Sequence, residues 1–192
     1  MIQRTETRIP GVCLLDPRLF EDNRGFLMET YSLRDFAGVG IDRNFVQENH
    51  VLSRRQVLRG LHYQLRRPQA KLVRSIGGAV FDVAVDIRLG SPTFGQWTGD
   101  VLSAENRRIM FVPEGFAHGF YVLSEAAEVL YKCSDFYTPE DEYGFLWNDP
   151  RFAIDWRIAA GSVPLVSERD RRLPLLASLP MDKLPAYRDT VS

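Results

Sequence analysis

Hydrophobic and polar residues alternate over short stretches along most of this chain. The alternation is clearest between positions 81 and 87, where apolar residues hold the odd positions and Asp82, Ala84 and Asp86 hold the even ones. A period of two residues predicts an antiparallel sheet whose two faces differ. Comparable stretches return roughly every 8–12 residues, separated by turn-forming Gly, Pro, Asn and Asp. About ten short strands of this kind favour an all-β sandwich or barrel, with the jelly roll among the alternatives.

The same pattern predicts only a few short helices. Ser32 precedes a helical stretch at 33–37, and Ser167 precedes a second helical start. In each case an acidic residue, Asp35 or Asp170, follows the Ser by three positions. A Ser that accepts a backbone N–H at this spacing stabilises the first turn of a helix.

The chain has 192 residues, enough for one domain with a sizeable core. Hydrophobic residues make up 45% of it and charged residues 26%, which is ordinary for a globular protein. No internal repeat, low-complexity run or linker divides the sequence. We therefore predict a single domain over 1–192, with its core at about 9–175 and a C-terminal tail at about 176–192.

Charge and cysteine content exclude several classes of function. The 24 basic and 25 acidic residues give a net charge of −1, which predicts no binding of nucleic acid or of an anionic membrane. Cys13 and Cys133 do not form a Cys-x-x-Cys pair, so no zinc or redox motif is present. The sequence has no signal-peptide pattern and no apolar stretch that would span a membrane. We expect a cytoplasmic protein with reduced thiols.

Polar residues interrupt an apolar region at 57–73, which the pattern predicts to be a strand, a Pro-containing turn and a second strand forming a hairpin. This region contains His62, one of three histidines in the chain, together with Arg59 and Lys71. Arg59 and His62 have opposite parity, so a regular strand would direct them to opposite faces. Gly60 lies between them, and a Gly inside a strand often marks a bulge. If both side chains serve one cavity, the backbone near Gly60 must depart from regular pleating.

Further polar residues break the strand pattern elsewhere. Any one of them alone is explained by an ordinary structural role, but together they are too many for a plain core, because buried polar groups need partners. In a small barrel they would line a cavity. They are Arg24, Glu29, Gln47, Asn49, Arg59, His62, Lys71, Asp82, His118, Tyr131 and Asp170.

Metal binding and acid–base chemistry are the two hypotheses for such a cavity. A metal site of the His-x-His type is not supported, because position 60 is Gly and only His62 and His118 remain as inward ligands. Acid–base chemistry is favoured instead. A His can remove a proton beside a carbonyl if a nearby Lys or Arg stabilises the enolate, and a Tyr on the opposite side can return a proton. This combination describes an epimerase that works beside a ketone.

The chain resembles the dTDP-4-dehydrorhamnose 3,5-epimerases, which are deoxysugar-nucleotide epimerases of the cupin superfamily. The resemblance runs from about residue 9 to about residue 175, and its strength comes from the number of ordered matches. The matching segments are DNRGF at 22–26, FVQEN at 45–49, RGLHYQ at 59–64, KLV at 71–73, DVAVDIR at 82–88, GSPTFG at 90–95, PEGFAHGF at 113–120 and YKC at 131–133.

The resemblance implies a double-stranded β-helix, also called a jelly roll, without a metal or an organic cofactor. It implies epimerisation at C3 and C5 of dTDP-4-dehydro-6-deoxy-D-glucose to dTDP-4-dehydro-L-rhamnose, a precursor for polysaccharide synthesis. His62 would then be the proton acceptor, paired with Asp170, Tyr131 the proton donor, and Lys71 the group that stabilises the enolate. Substrate contacts are implied for Arg24, Glu29, Gln47, Asn49, Arg59, His118, Tyr137, Glu142 and Arg169, with Tyr137 stacking on the thymine.

A homodimer with swapped N-terminal strands is also implied, with Arg24 and Glu29 reaching the partner's site. Arg169 departs from the family, because Lys is frequent at that position; the positive charge is kept on a more planar group.

Three alternatives remain open at this point. The first is an enzyme that inverts only C3 or only C5 of a dTDP-4-keto-deoxysugar in antibiotic sugar synthesis. The second is a non-catalytic sugar-binding cupin, and the third is a metal-dependent cupin enzyme.

Overall fold

The computed structural model describes residues 2–187, which form two antiparallel sheets and a separate hairpin. Its strands are β1 Gln3–Glu6, β2 Cys13–Asp16, β3 Leu19–Asp22, β4 Gly25–Met28, β5 Gln47–Arg54, β6 Leu58–Gln64, β7 Lys71–Gly77, β8 Ala79–Asp86, β9 Trp97–Ser103, β10 Ile109–Val112, β11 Phe116–Val122, β12 Ala126–Cys133 and β13 Glu142–Gly144. The helices are α1 Leu33–Gly38 and α2 Glu168–Arg171, with single 3₁₀ turns at Pro139–Asp141, Leu176–Ser178 and Met181–Lys183.

From β5 to β13, consecutive strands lie in opposite sheets except for β8 and β9, which are neighbours in one sheet. The six-stranded sheet has the order β1-β2-β10-β7-β12-β5, and the five-stranded sheet has the order β13-β6-β11-β8-β9. A shared core that includes Val73 and Val129 from the first sheet and Val80 and Phe120 from the second shows that the sheets face each other. This is the jelly roll, so the all-β prediction with a few short helices is confirmed.

The hairpin predicted at 57–73 is wrong. β6 pairs with β11 and β13 in the five-stranded sheet, whereas β7 pairs with β10 and β12 in the six-stranded sheet. Alternation fixes which face of a strand is buried, but it does not specify the neighbouring strand. The Pro68 connection instead crosses from one sheet to the other, so His62 and Lys71 lie on facing walls.

Both sheets are also covered on their outer faces. Phe145, Phe152 and Trp156 pack on the outer side of the five-stranded sheet, against Phe81 and Val83. This explains why β8 is buried on both faces, although its alternation resembles that of a half-exposed strand.

Helix α1 contributes Phe36 to the cover of the six-stranded sheet, where it packs with Leu15 and Ile109.

Both predicted N-caps are present. Ser32 Oγ accepts from Asp35 N, and Ser167 Oγ accepts from Asp170 N at 3.0 Å.

The C-terminal tail packs against the body of the domain as far as the structure describes it. Leu176 is buried, and Tyr63 Oη donates to Lys183 O. The backbones of Leu89 and Ala186 form an isolated parallel β-bridge. The last five positions of the predicted tail, 188–192, lie outside the described residues. Among residues 2–187, no helix is long and apolar enough to cross a membrane.

The backbone at Gly60 departs from regular pleating, as the sequence required. His62 is opposite His118 and Arg59 is opposite Phe120, so three steps along β6 match two along β11. Gly60 has a φ of +118°, and the peptide bond that follows it is cis. The extra residue reverses the parity, and both Arg59 and His62 line the space between the sheets.

We expect Gly60→Ala to destabilise the fold by more than about 2 kcal/mol. A Cβ at this position would lie 2.7 Å from Gly119 Cα and 2.8 Å from His118 O, and its backbone conformation disfavours any L side chain. Urea denaturation followed by circular dichroism measures the change. The matched control is Gly38→Ala, where no atom lies within 4 Å of the added Cβ and we expect a change within about 0.5 kcal/mol. Equal unfolding midpoints for the two variants would contradict the proposed contact.

Candidate active site

A cavity of about 670 Å³ opens between the two sheets and collects most of the predicted site residues. Its walls come from strands of both sheets and from the segment around α2. The predicted residues that line it are Gln47, Asn49, Arg59, His62, Lys71, His118, Tyr131, Tyr137, Glu142, Arg169 and Asp170.

A hydrogen-bonded pair of His62 and Asp170 lies on one wall of this cavity. His62 Nε2 is 2.8 Å from Asp170 Oδ1. The His62 side chain is 23% exposed and the Asp170 side chain only 5%. The cap at Ser167 starts α2 so that Asp170 lies in its first turn, facing the β6 bulge. A buried carboxylate bonded to one imidazole nitrogen fixes the orientation and the tautomer of the ring.

The Asp170 carboxyl group is held in its ionised form. Burial acts to raise its pKa, but the hydrogen bond and the electrostatic effect of His62, with hydrogen bonds from the Gly60 N–H and Ser167, outweigh burial and lower the pKa below the usual value. The Gly60 N–H reaches Asp170 Oδ2 at 3.4 Å. The bulge in β6 therefore supports the partner of His62 as well as placing His62 itself.

Tyr131 and Lys71 occupy the facing wall, which belongs to the six-stranded sheet. Lys71 Nζ lies 6.0 Å from the centre of the Tyr131 ring. Burial raises the pKa of Tyr131, with further contributions from nearby groups, so the phenol keeps its proton at neutral pH. Burial lowers the pKa of Lys71, against opposing contributions from Cys133, Glu142 and Asp82.

The rim of the cavity is organised around Tyr137. Gln47 Oε1 accepts from the Tyr137 backbone N–H at 2.9 Å, and the Tyr137 hydroxyl donates to Glu142 Oε2 at 3.1 Å. Arg169 forms an ion pair with the same Glu142 carboxylate, and Gln47 also donates to Asn49. The exposed ring of Tyr137 is thus held from both its backbone and its hydroxyl.

A second His–Asp pair joins the cavity wall to the buried interior. His118 Nε2 is 2.9 and 3.0 Å from the two carboxylate oxygens of Asp82, and both side chains are buried. Because His118 is opposite His62 in the pairing of β11 with β6, the two imidazoles share one wall.

Two predicted site residues do not reach this cavity. Arg24 lies in the turn between β3 and β4, exposed and paired with Asp22 at 2.6 Å. Glu29 follows β4 and is also exposed. Arg59 does reach the cavity, and its guanidinium donates to Ser53 Oγ at 3.1 Å.

Comparison with known proteins identifies the family of the chain. The family model described as dTDP-4-dehydrorhamnose 3,5-epimerase matches residues 6–178. The chain belongs to this family. A dTDP-4-dehydrorhamnose 3,5-epimerase from Pseudomonas aeruginosa is 56% identical over 89% of the chain and 94% of the relative.

Solved structures of other epimerases share the fold. The crystal structure of a dTDP-6-deoxy-D-glucose-3,5-epimerase from Legionella pneumophila in complex with dTDP-4-keto-L-rhamnose is 46% identical, with a TM-score of 0.94 over 98% of this chain and 100% of the other. A 3′-monoepimerase from Streptomyces bikiniensis in complex with dTDP-quinovose is 32% identical, with a TM-score of 0.87 over 94% and 92%. The jelly roll is therefore common to epimerases that act on different carbons.

The structure adds cavity residues that strand alternation did not single out. Gln69 and Cys133 line the cavity of this epimerase, and Gln69 lies in a connection with no periodic pattern around it. Asp82, which the strand pattern did single out as a cavity residue, is fully buried and lies behind His118, outside the cavity lining. Within residues 2–187, no three His, Cys, Asp or Glu side chains are grouped to hold a metal ion.

Proposed function

We propose that this epimerase removes protons from C3 and C5 of dTDP-4-dehydro-6-deoxy-D-glucose with His62 and replaces them from the opposite face with Tyr131, giving dTDP-4-dehydro-L-rhamnose. The observation that carries the proposal is the placement of the His62–Asp170 pair on one wall of the cavity and of Tyr131 and Lys71 on the other.

His62 is suited to act as the base. The carboxylate of Asp170 lies 2.8 Å from Nε2, which favours the tautomer in which Nε2–H donates to it and Nδ1 keeps its lone pair for the substrate. C3 and C5 both flank the C4 ketone. When a C–H bond at either carbon breaks, its electrons form a double bond to C4, and the carbonyl π electrons move onto the C4 oxygen to give an enolate. The ionised Asp170 stabilises the imidazolium that forms when His62 accepts the proton.

Lys71 is suited to stabilise the enolate, and Tyr131 to complete the inversion. The buried Lys71 ammonium favours negative charge on the C4 oxygen more strongly than it would in water. The Tyr131 hydroxyl then donates a proton to the ring carbon from the side opposite His62. Exchange with solvent returns a proton to Tyr131 and removes one from His62.

The rim residues are suited to the nucleotide. Tyr137, held by Gln47 and Glu142, offers an aromatic face on which thymine can stack. Arg59 and Arg169 supply guanidinium groups for the diphosphate, and Asn49 and His118 supply further polar contacts. Arg24 and Glu29 complete the set from a second copy of the chain.

We expect deuterium from the solvent to enter both C3 and C5 of the dTDP-linked ketosugar, because both carbons are acidified by the same ketone. Mass spectrometry and proton NMR of the product in deuterium oxide measure the positions. Exchange at one carbon alone would favour the monoepimerase alternative. The 3′-monoepimerase from Streptomyces bikiniensis is a structural relative of that kind. Binding of substrate without any exchange would favour a non-catalytic sugar-binding protein.

His62→Asn and Tyr131→Phe should separate the two halves of the reaction. We expect His62→Asn to lower exchange at both carbons by at least about 100-fold, since the general base is lost. Tyr131→Phe should keep exchange, because His62 can return deuterium to the face from which it took the proton, but net inversion should fall by about 100-fold or more. Full inversion by Tyr131→Phe would exclude Tyr131 as the donor.

We also propose a homodimer with exchanged N-terminal strands. The β3–β4 hairpin pairs with no other strand in the described part of the chain, and its Phe20, Phe26 and Leu27 side chains are exposed. β5 is the last strand of the six-stranded sheet, so one of its edges is open to a further strand. A hairpin from a second copy can add to this edge by strand addition, bringing Arg24 and Glu29 toward the partner's cavity.

We expect Leu27→Glu to convert the dimer to a monomer of 22.0 kDa, because it places a charge in the apolar hairpin surface. Light scattering after gel filtration measures the mass. Met181→Glu is the matched control, since Met181 is exposed to a similar extent (72% against 69%) but lies in the tail, and this variant should remain dimeric. A monomeric wild-type protein, or a dimeric Leu27→Glu variant, would contradict this arrangement.

A further inference from the structure

The guanidinium group of Arg59 is held by a serine that does not itself line the cavity. Arg59 Nε donates to Ser53 Oγ at 3.1 Å. Ser53 is only 3% exposed, whereas Arg59 is exposed and lines the cavity. Ser53 lies near the end of β5 and Arg59 near the start of β6, so this hydrogen bond joins the two facing sheets.

Ser53 continues a row of β5 side chains that point into the space between the sheets. Gln47, Asn49 and Val51 of this row line the cavity, and Ser53 is the next inward position along the strand. A hydroxyl buried at such a position needs a hydrogen-bond partner, and Arg59 supplies it. The Ser53 side chain is therefore directed at the stem of the guanidinium group and not at a bound ligand.

The bond to Ser53 leaves the outer end of the guanidinium group free. In the part of the chain that the structure describes, the two terminal NH₂ groups of Arg59 make no hydrogen bond or ion pair. The two carboxylates that line the cavity have other partners, since Glu142 is bound by Arg169 and Asp170 by His62. Two parallel N–H donors at one end of a planar group match two oxygen atoms of a phosphate.

We propose that Ser53 is a positioning residue for binding of the substrate's diphosphate. By accepting from Nε, Ser53 fixes the plane of the Arg59 guanidinium group, so that its two terminal NH₂ groups meet the phosphate oxygens end-on. A side chain that is already ordered loses less conformational entropy when the ligand binds. Ser53 itself touches no substrate atom. This inference rests on the proposed function, in which Arg59 binds the diphosphate.

The test is the affinity of the full-length protein for dTDP, measured by isothermal titration calorimetry. We expect Ser53→Ala to raise Kd by about 10-fold, because Arg59 must then be ordered during binding. KM for the nucleotide sugar should rise by a larger factor than kcat falls. Ser53→Thr keeps a hydroxyl acceptor and should bind dTDP within about twofold of the wild type. An unchanged Kd in Ser53→Ala, or an equal loss of affinity in Ser53→Thr, would overturn the proposal.

A double-mutant cycle tests whether Ser53 acts through Arg59. Arg59→Met should weaken dTDP binding, since it removes a charged partner of the diphosphate. Adding Ser53→Ala to Arg59→Met should then change Kd by less than about twofold, because the group that Ser53 positions is already absent. Effects that simply multiply would overturn the proposal.

The same cycle separates this inference from the proposed function. Weak binding by Arg59→Met together with normal binding by Ser53→Ala would overturn only the positioning role of Ser53. Normal binding by Arg59→Met would overturn the assignment of Arg59 to the diphosphate, and the positioning role with it.

Ser75→Ala is the matched control. Ser75 is 1% exposed and points into the same interior from β7, but its hydroxyl bonds to backbone carbonyls, including Gly77 O at 2.9 Å, and it does not line the cavity. This variant should lower the thermal stability and leave the Kd for dTDP in place. A similar rise of Kd in Ser75→Ala and Ser53→Ala would indicate a general loss of packing and would overturn the specific role of Ser53.

Discussion

The close approach of two backbones at Gly60 and Gly119 is the contact on which the cavity depends. A Cβ on Gly60 would lie within 2.8 Å of backbone atoms of β11, and a Cβ on Gly119 would lie 2.5 Å from Arg59 O. Because neither residue has a side chain, β6 can carry one extra residue there while remaining paired with β11. The bulge brings Arg59 and His62 to the same side and presents the Gly60 N–H to Asp170.

Buried ionisable groups are the main feature of the cavity walls. Two His–Asp pairs lie on one wall, and their carboxylates are almost completely removed from solvent. Such groups are costly to bury and are retained where a reaction needs fixed charges and orientations. The opposite wall carries a Lys and a Tyr, whose pKa values are both shifted mainly by burial, the first downward and the second upward. The two walls thus offer His–Asp pairs on one side and an amine and a phenol on the other.

The crossings of the chain between the two sheets place the polar residues on facing walls. Residues close in sequence, such as His62 and Lys71, are placed on facing sheets because the connection between them crosses the barrel. Residues far apart in sequence, such as His62 and Asp170, are brought into contact because α2 packs on the bulged strand. The Ser167 cap at the start of α2 therefore places the carboxylate that holds the His62 ring on β6.

The sequence by itself determined many of the local elements and most of the residues that line the cavity. Period-two alternation predicted the all-β class, two Ser caps predicted both helices, and the opposite parity of Arg59 and His62 required the irregularity at Gly60. Most of the residues carried over from the family line the cavity. The tertiary structure alone decided the pairing of β6 and β7 with different sheets, the cover on the outer faces and the partnership of His118 with Asp82. Pairing partners depend on contacts between distant segments, and a periodic pattern contains only the direction in which each side chain points.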